Sequence, residues 1–214
     1  RPSDGKMPAS IAYVQCAGSR DQTLGVPYCS RVCCMYAIKQ AMLLSGALPL
    51  AEITIYYMDI RTFGKGYEQF YQNAKAMGIE FLKGKVARIT EDDEQNPIVR
   101  VELIDEFGKT RVVERTHDLV VLSVGLLPGE NPQPKFGVPI GEDGFVQVPD
   151  YNVFPAVTLQ PGIFVTGTAA GPMDIVDSIM MAGAAAASVA SYLETGNRSG
   201  TEVQRQPERS VEYA

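Results

Sequence analysis

With 214 residues, 45% of them hydrophobic, the chain is long enough to bury one good core or two smaller ones, and a folded α/β protein is the natural expectation. A formal charge of -6 excludes the excess of Lys and Arg that nucleic-acid or anionic-membrane binding draws on, so protein partners and small cofactors are expected. No charged-then-apolar segment opens the chain, and no unbroken apolar run approaches the about 18 residues of a membrane span, which predicts a cytoplasmic protein without a span.

Residues 1–9 open without Met on the polar stretch Arg1-Pro2-Ser3-Asp4-Gly5-Lys6 and read as a linker inside a longer protein. Ser10 to Gln15 is β-branched and aromatic and runs into Cys16-Ala17-Gly18-Ser19, as a buried parallel strand enters its loop. Cys29 to Leu44 repeats apolar or small residues at helical spacing (Cys33, Ala37, Ala41, Leu44) and stops near Gly46 and Pro49, predicting a helix of about four turns. Glu52 to Met58 reads as a strand, Lys65 to Met77 as a helix ended by Gly78, and Ile79 to Leu82 as a third strand. This βαβαβ order predicts a Rossmann-like parallel sheet with helices on both faces. The period then changes: Lys85 to Thr90, Ile98 to Ile104 and Arg111 to Arg115 predict an antiparallel meander turning at Asp92-Asp93 and Glu106-Phe107-Gly108. Asp118 to Val124 follows as a buried strand ending at Gly125.

The expected domains are therefore residues 10–125, a degenerate NAD(P)-type module, and residues 126–194, part of a second domain. That second part holds a Pro- and Gly-rich crossing with a small strand Phe145 to Val148, a strand-to-turn at Gly162 to Gly167, and an alanine-rich helix from Met173 to Leu193. Residues 195–214 are polar and expected to be loose.

All four cysteines fall between Cys16 and Cys34 in a C-x12-C-x3-C-C spacing, so they form one site rather than a distributed disulfide framework. On a helix Cys29 and Cys33 share a face, Cys34 is rotated by about 100 degrees, and Cys16 closes the site from the strand end. Four thiolates around a cubane carry negative charge, which a helix N-terminus aided by Arg20 and Arg31 would stabilise, so an iron-sulfur cluster fits. Structural zinc also takes four cysteines, although its usual C-x2-C pairs are absent here. A redox disulfide and plain buried cysteines are the other readings. A disulfide between the neighbours Cys33 and Cys34 would close a strained ring.

The segments CAGSRD, YCSRVCCMYAIKQA and YYMDIRTFGKGYEQFYQNAKAMGIEF closely resemble the A subunits of heterodisulfide reductases and their bacterial relatives, and the resemblance covers most of residues 1–194. It implies a thioredoxin-reductase-like flavoprotein module in which Cys16, Cys29, Cys33 and Cys34 ligate a [4Fe-4S] cluster that exchanges electrons with FAD. The implied partners are the other subunits of a redox complex, of heterodisulfide reductase B and C type, with hydrogenase or ferredoxin-type electron donors.

Gly162 to Pro172 (GIFVTGTAAGP), followed by Met173-Asp174-Ile175, resembles the C-terminal flavin motif of that superfamily and nominates Gly167, Thr168, Pro172, Asp174 and Ile175 as FAD contacts. Thr168 stands where many relatives carry Asp. Ser123-Val124-Gly125-Leu126-Leu127-Pro128 resembles the strand-end turn that abuts FAD and adds Gly125. The alternative for the first motif is a plain strand-to-helix turn with a small-residue helix packed closely, and a buried strand followed by a Pro turn explains the second almost as well. No G-x-G-x-x-G follows any strand, so neither an ADP half-site nor an NAD(P) fingerprint is visible and the FAD site in this chain is incomplete. Asp59 and Arg61 read as solvated or ion-paired, the single histidine, His117, as a polar residue at a strand edge, and the tyrosines Tyr56, Tyr57, Tyr67 and Tyr71 as core or cluster-shielding aromatics. Catalytic residues are not assigned. Two rival functions stand beside electron transfer: an FAD-dependent disulfide reductase using Cys33 or Cys34, and a zinc-stabilised docking domain that moves no electrons.

Overall fold

The computed structural model describes residues 1–195. They divide into two compact units, the first Arg1–Leu126 and the second from Leu127 on.

The first unit is built on one mixed six-stranded sheet in the order β5-β4-β3-β2-β1-β6. Its elements are β1 (Ser10–Ala17), α1 (Cys33–Ala47), β2 (Glu52–Tyr57), α2 (Tyr67–Ala76), β3 (Glu80–Glu91), β4 (Pro97–Ile104), β5 (Thr110–Thr116) and β6 (Leu119–Val124). β1 pairs in parallel with both β2 and β6, and β2 in parallel with β3. The two strands expected at Ile79 to Leu82 and Lys85 to Thr90 are one continuous strand: β3 pairs with β2 by its first half and antiparallel with β4 by its second. Gly84 sits at that handover, where a Cβ would fall 2.2 Å from the Glu102 carbonyl oxygen, so the glycine permits close strand approach instead of marking a break.

Alternation along β1 explains the layers. Ile11 and Tyr13 join Ile53 and Ile55 of β2 beneath Ala37, Ile38 and Ala41 of α1 and Tyr71 and Ala74 of α2. Ala12 and Val14 face the other way, against Tyr56 and the meander residues Val99 and Val101. Both helices thus lie on the same face, not on both faces as expected. Successive right-handed crossovers that step in one direction along a sheet place their helices on one side, and here the apolar side of the meander covers the other.

His117 lies between the end of β5 and the start of β6, where it is a buried polar residue. It is 2% exposed, with Nδ1 2.8 Å from Ser10 Oγ and Nε2 2.9 Å from the Tyr56 hydroxyl, so a neutral ring is satisfied on both nitrogens. Burial holds its pKa below the ordinary value, and the nearby Arg115 pushes the same way. Tyr56 and Tyr71 are buried core aromatics, with Tyr57 half-buried against Phe81.

The second unit contains the short helix α3 (Gln133–Phe136), a 3₁₀ turn at Gly167–Ala169 and the long helix α4 (Ile175–Glu194). The strands expected at Phe145 to Val148 and Gly162 to Gly167 reduce to single bridges, Ile140 with Val146 and Val157 with Phe164, because the surrounding prolines and glycines interrupt the ladder. Val165, Met173 and Met181 form its small core. α4 is long and apolar enough to cross a membrane by length and composition, a feature that counting unbroken apolar runs missed because Ser and Gly interrupt it. The tail expected to be loose lies, beyond Thr195, outside the described residues.

Candidate functional site

The site is assembled at the carboxyl end of β1. Val14 pairs with Leu122 and Ala17 with Val124, so Gln15 and Cys16 together oppose Ser123: a β-bulge, with Cys16 in the left-handed region at φ 59. A bulge bends its strand and re-aims the extra residue, which here is the first cysteine. The chain then folds back on itself. Asp21 and Val26 exchange backbone hydrogen bonds of 2.8 and 3.0 Å, and the Arg20 N–H reaches the Tyr28 carbonyl at 3.0 Å, which returns Cys29 toward Cys16.

Cys29 does not lie on the helix. Arg31 is left-handed at φ 64, α1 begins only at Cys33, and so Cys33 and Cys34 occupy its first turn while Cys29 precedes it. The reason is a buried lock that no spacing rule predicts. The Ser30 hydroxyl lies 2.7 Å from that of Ser19 and accepts the Leu126 N–H at 2.9 Å, tying residues 29–32 to the end of β6 rather than releasing them into a helix. Gly125 makes room for this lock, since a Cβ there would fall 2.0 Å from Ser30 Oγ and 2.1 Å from Ser19 Oγ. The glycine nominated as a flavin contact therefore packs beneath the cysteine loop. Cys16, Arg20 and Arg31 are each non-glycine residues at positive φ, a concentration of backbone strain typical of ligand-holding segments.

All four cysteines are free thiols, Cys33 and Cys34 buried and Cys16 and Cys29 half-buried. Burial pushes the thiols of Cys16 and Cys34 up and that of Cys33 to about 11, and each of these three also feels negative charge on other cysteines of the set. Several features oppose that charge. No side chain caps α1, so its first N–H groups stay free to meet an anion. The Arg31 N–H points at Cys29 Sγ at 3.3 Å, and Arg20, which offsets part of the burial effect on Cys16, is itself held by Asp59 at 2.6 Å. Arg61 reaches the same carboxylate at 3.4 Å, so the ion-paired reading of Asp59 and Arg61 matches the geometry. The Arg31 guanidinium stacks 5.2 Å from the centre of the Phe63 ring. Among the described residues, no three His, Cys, Asp or Glu side chains stand close enough to hold a metal ion without movement. The thiols line one region but do not close on a common centre.

The donor set nonetheless fits an iron-sulfur cluster. It offers soft sulfur donors, free N–H groups, apolar walls and, beside Cys16, buried polar atoms without partners, both amide atoms of Gln15.

Of the other nominated flavin contacts, Gly167, Thr168, Pro172, Asp174 and Ile175 belong to the second unit. Gly167 turns at φ 63, and Asp174 caps α4 by accepting the Asp177 N–H at 2.8 Å. Ile175 stands largely exposed at the start of that helix.

Fold and site together define a class: an α/β module with a four-thiol site at the strand end where nucleotide-binding folds carry their ligands. No family model matches the chain. Curated relatives do. The second A-type iron-sulfur subunit of the CoB–CoM heterodisulfide reductase of Methanopyrus kandleri is 46% identical over 203 residues, 92% of this chain and 30% of that protein. The A subunit of the H2:CoB–CoM heterodisulfide, ferredoxin reductase of Methanothermobacter thermautotrophicus is 42% identical over 92% of this chain and 30% of its own length. The A subunit of the ferredoxin:CoB–CoM heterodisulfide reductase of Methanosarcina mazei is 39% identical over 91% of this chain and 25% of its own. This chain is a homologue of one segment of the heterodisulfide reductase A subunits, spanning less than a third of the length of those relatives. An atypical thioredoxin reductase from Desulfovibrio vulgaris Hildenborough covers 88% of the chain at 16% identity with a TM-score of 0.32, too loose a likeness to carry an argument.

Proposed function

We propose that the chain is an electron-transferring oxidoreductase module of heterodisulfide reductase A type, which holds a [4Fe-4S] cluster on Cys16, Cys29, Cys33 and Cys34 and supplies part of an FAD site through Gly167, Thr168 and the start of α4. One observation carries this reading: the chain's only four cysteines are all free thiols, and bulge, hairpin and helix start bring them to one end of one sheet. The name of the Methanopyrus relative, which calls it an iron-sulfur protein, supports it. Once bound, the cluster supplies one-electron transfer and FAD links one- and two-electron chemistry.

The residues divide the remaining work. The four thiolates bind, and because they must lose their protons to do so, uptake is favoured by rising pH. The free N–H groups of α1 and the Arg31 N–H stabilise the negative charge, while the Arg20–Asp59 pair fixes a cation beside Cys16. The partners by this reading are the other subunits of a cytoplasmic redox complex, of heterodisulfide reductase B and C type, with hydrogenase or ferredoxin-type donors.

Anaerobic reconstitution with iron and sulfide, followed by metal analysis and low-temperature EPR, tests the reading. About four iron and four sulfide per chain, a signal after dithionite and its loss in Cys16→Ser are the expected results. Stoichiometric zinc would promote the docking domain, and a folded metal-free protein with a titratable dithiol would promote the disulfide reductase.

A further inference from the structure

Buried side-chain polar atoms are almost always hydrogen-bonded, so those that are not ask for an explanation. Among the described residues the Gln15 carboxamide is such a group, at both Oε1 and Nε2. It cannot turn to water, since Gln15 is 7% exposed. Gln15 shares the bulge with Cys16, and Ser123 is the single residue opposite that bulge.

Strand alternation sets their face. Gln15 follows Tyr13, and Ser123 follows Val121, residues that pack against the core beneath α1. In a right-handed crossover α1 runs back against β1, so its first turn, with Cys33 and Cys34, lies over this same end of the sheet. Tyr36 fixes that placement, because its hydroxyl donates to the Val124 carbonyl at 2.6 Å. The phenol oxygen in turn accepts from the Ser123 hydroxyl, which leaves Gln15 as the buried group without a partner.

We propose that the Gln15 carboxamide N–H donates a hydrogen bond to sulfur of the group held by the four cysteines. The inference rests on the cluster reading above. The chemistry is complementary: the carboxamide N–H is a neutral donor, and the sulfurs of a thiolate-ligated cluster are acceptors carrying negative charge. A neutral donor aimed at sulfur favours the more negative, reduced state, so Gln15 raises the reduction potential without moving a proton.

The full chain, reconstituted anaerobically with iron and sulfide, provides the test. Gln15→Met should retain iron and sulfide. At the wild-type midpoint potential it should raise the oxidised-to-reduced ratio about tenfold, a shift of about 59 mV for one electron. Pulsed EPR of the reduced wild-type protein, labelled with 15N in glutamine side chains, should show a nitrogen coupling that Gln15→Met abolishes. A merely structural glutamine would change stability but give no such coupling. An unchanged potential in loaded Gln15→Met and no 15N coupling in a loaded wild type overturn this inference alone; should Gln15→Met fail to fold, the wild-type coupling decides. A wild type that takes up no iron and sulfide overturns the cluster reading and this inference with it.

Discussion

The first unit uses its apolar side chains internally: Ile11, Ile38, Ala41 and Ile55 are wholly buried between one sheet face and two helices, and Val99 and Val101 seal the other face. The second unit does the reverse. Only Met181 of α4 is buried, while Ile175, Val176, Ile179 and Met180 stand 79%, 55%, 68% and 65% exposed. Ridges of the first unit match partners supplied by its own chain, whereas α4 carries more apolar surface than its own unit covers. Stability in the first region is set by packing, and in the second by local helix chemistry.

Substitutions should separate the two regimes. Ile38→Ala removes a wholly buried side chain and should cost about 2 to 5 kcal/mol, read from the urea midpoint of the full chain. Next comes the lock beneath the cysteines. Gly125→Ala drives a methyl group into Ser30 and Ser19, and Ser30→Ala strips the Leu126 N–H and the Ser19 hydroxyl of their partner. Each should cost about 1 to 3 kcal/mol and speed the reaction of the thiols with a disulfide reagent, measured by stopped flow on the metal-free protein. No faster thiol reaction in either variant would mean the lock does not position the cysteine loop.

A pH series probes the first unit from its opposite end. His117 has a depressed pKa in the folded state, so the unfolded chain binds the proton more readily. The stability it contributes is complete above the unfolded value near 6.5 and is lost as pH falls below it. Thermal unfolding from pH 7.5 to 5 should show this loss, and His117→Gln should flatten that part of the profile. In the second unit, Asp174→Ala deletes the α4 cap and should cost about 1 kcal/mol, visible as faster amide exchange in the first turn of α4. Ile179→Ala, at an exposed site, should fall within about 0.5 kcal/mol in the isolated chain, the smallest effect of the set.

The sequence alone determined the plan: the βαβαβ order, the antiparallel excursion and the gathering of every cysteine into one short stretch follow from apolar period and residue spacing, which are local properties. Tertiary structure decided what that stretch becomes. Cys29 lies off the helix because Ser30 bonds to Ser19 and to the end of β6, partners up to 96 residues apart that no spacing reveals. His117 is buried because Ser10 and Tyr56 converge on it from 107 and 61 residues away. Cys16 is re-aimed by a bulge that exists only because β6 pairs with β1 one residue out of step. Periodicity reports which face a residue prefers, but hydrogen-bond partners and strand register are set by contacts between distant segments, and those form only when the chain folds.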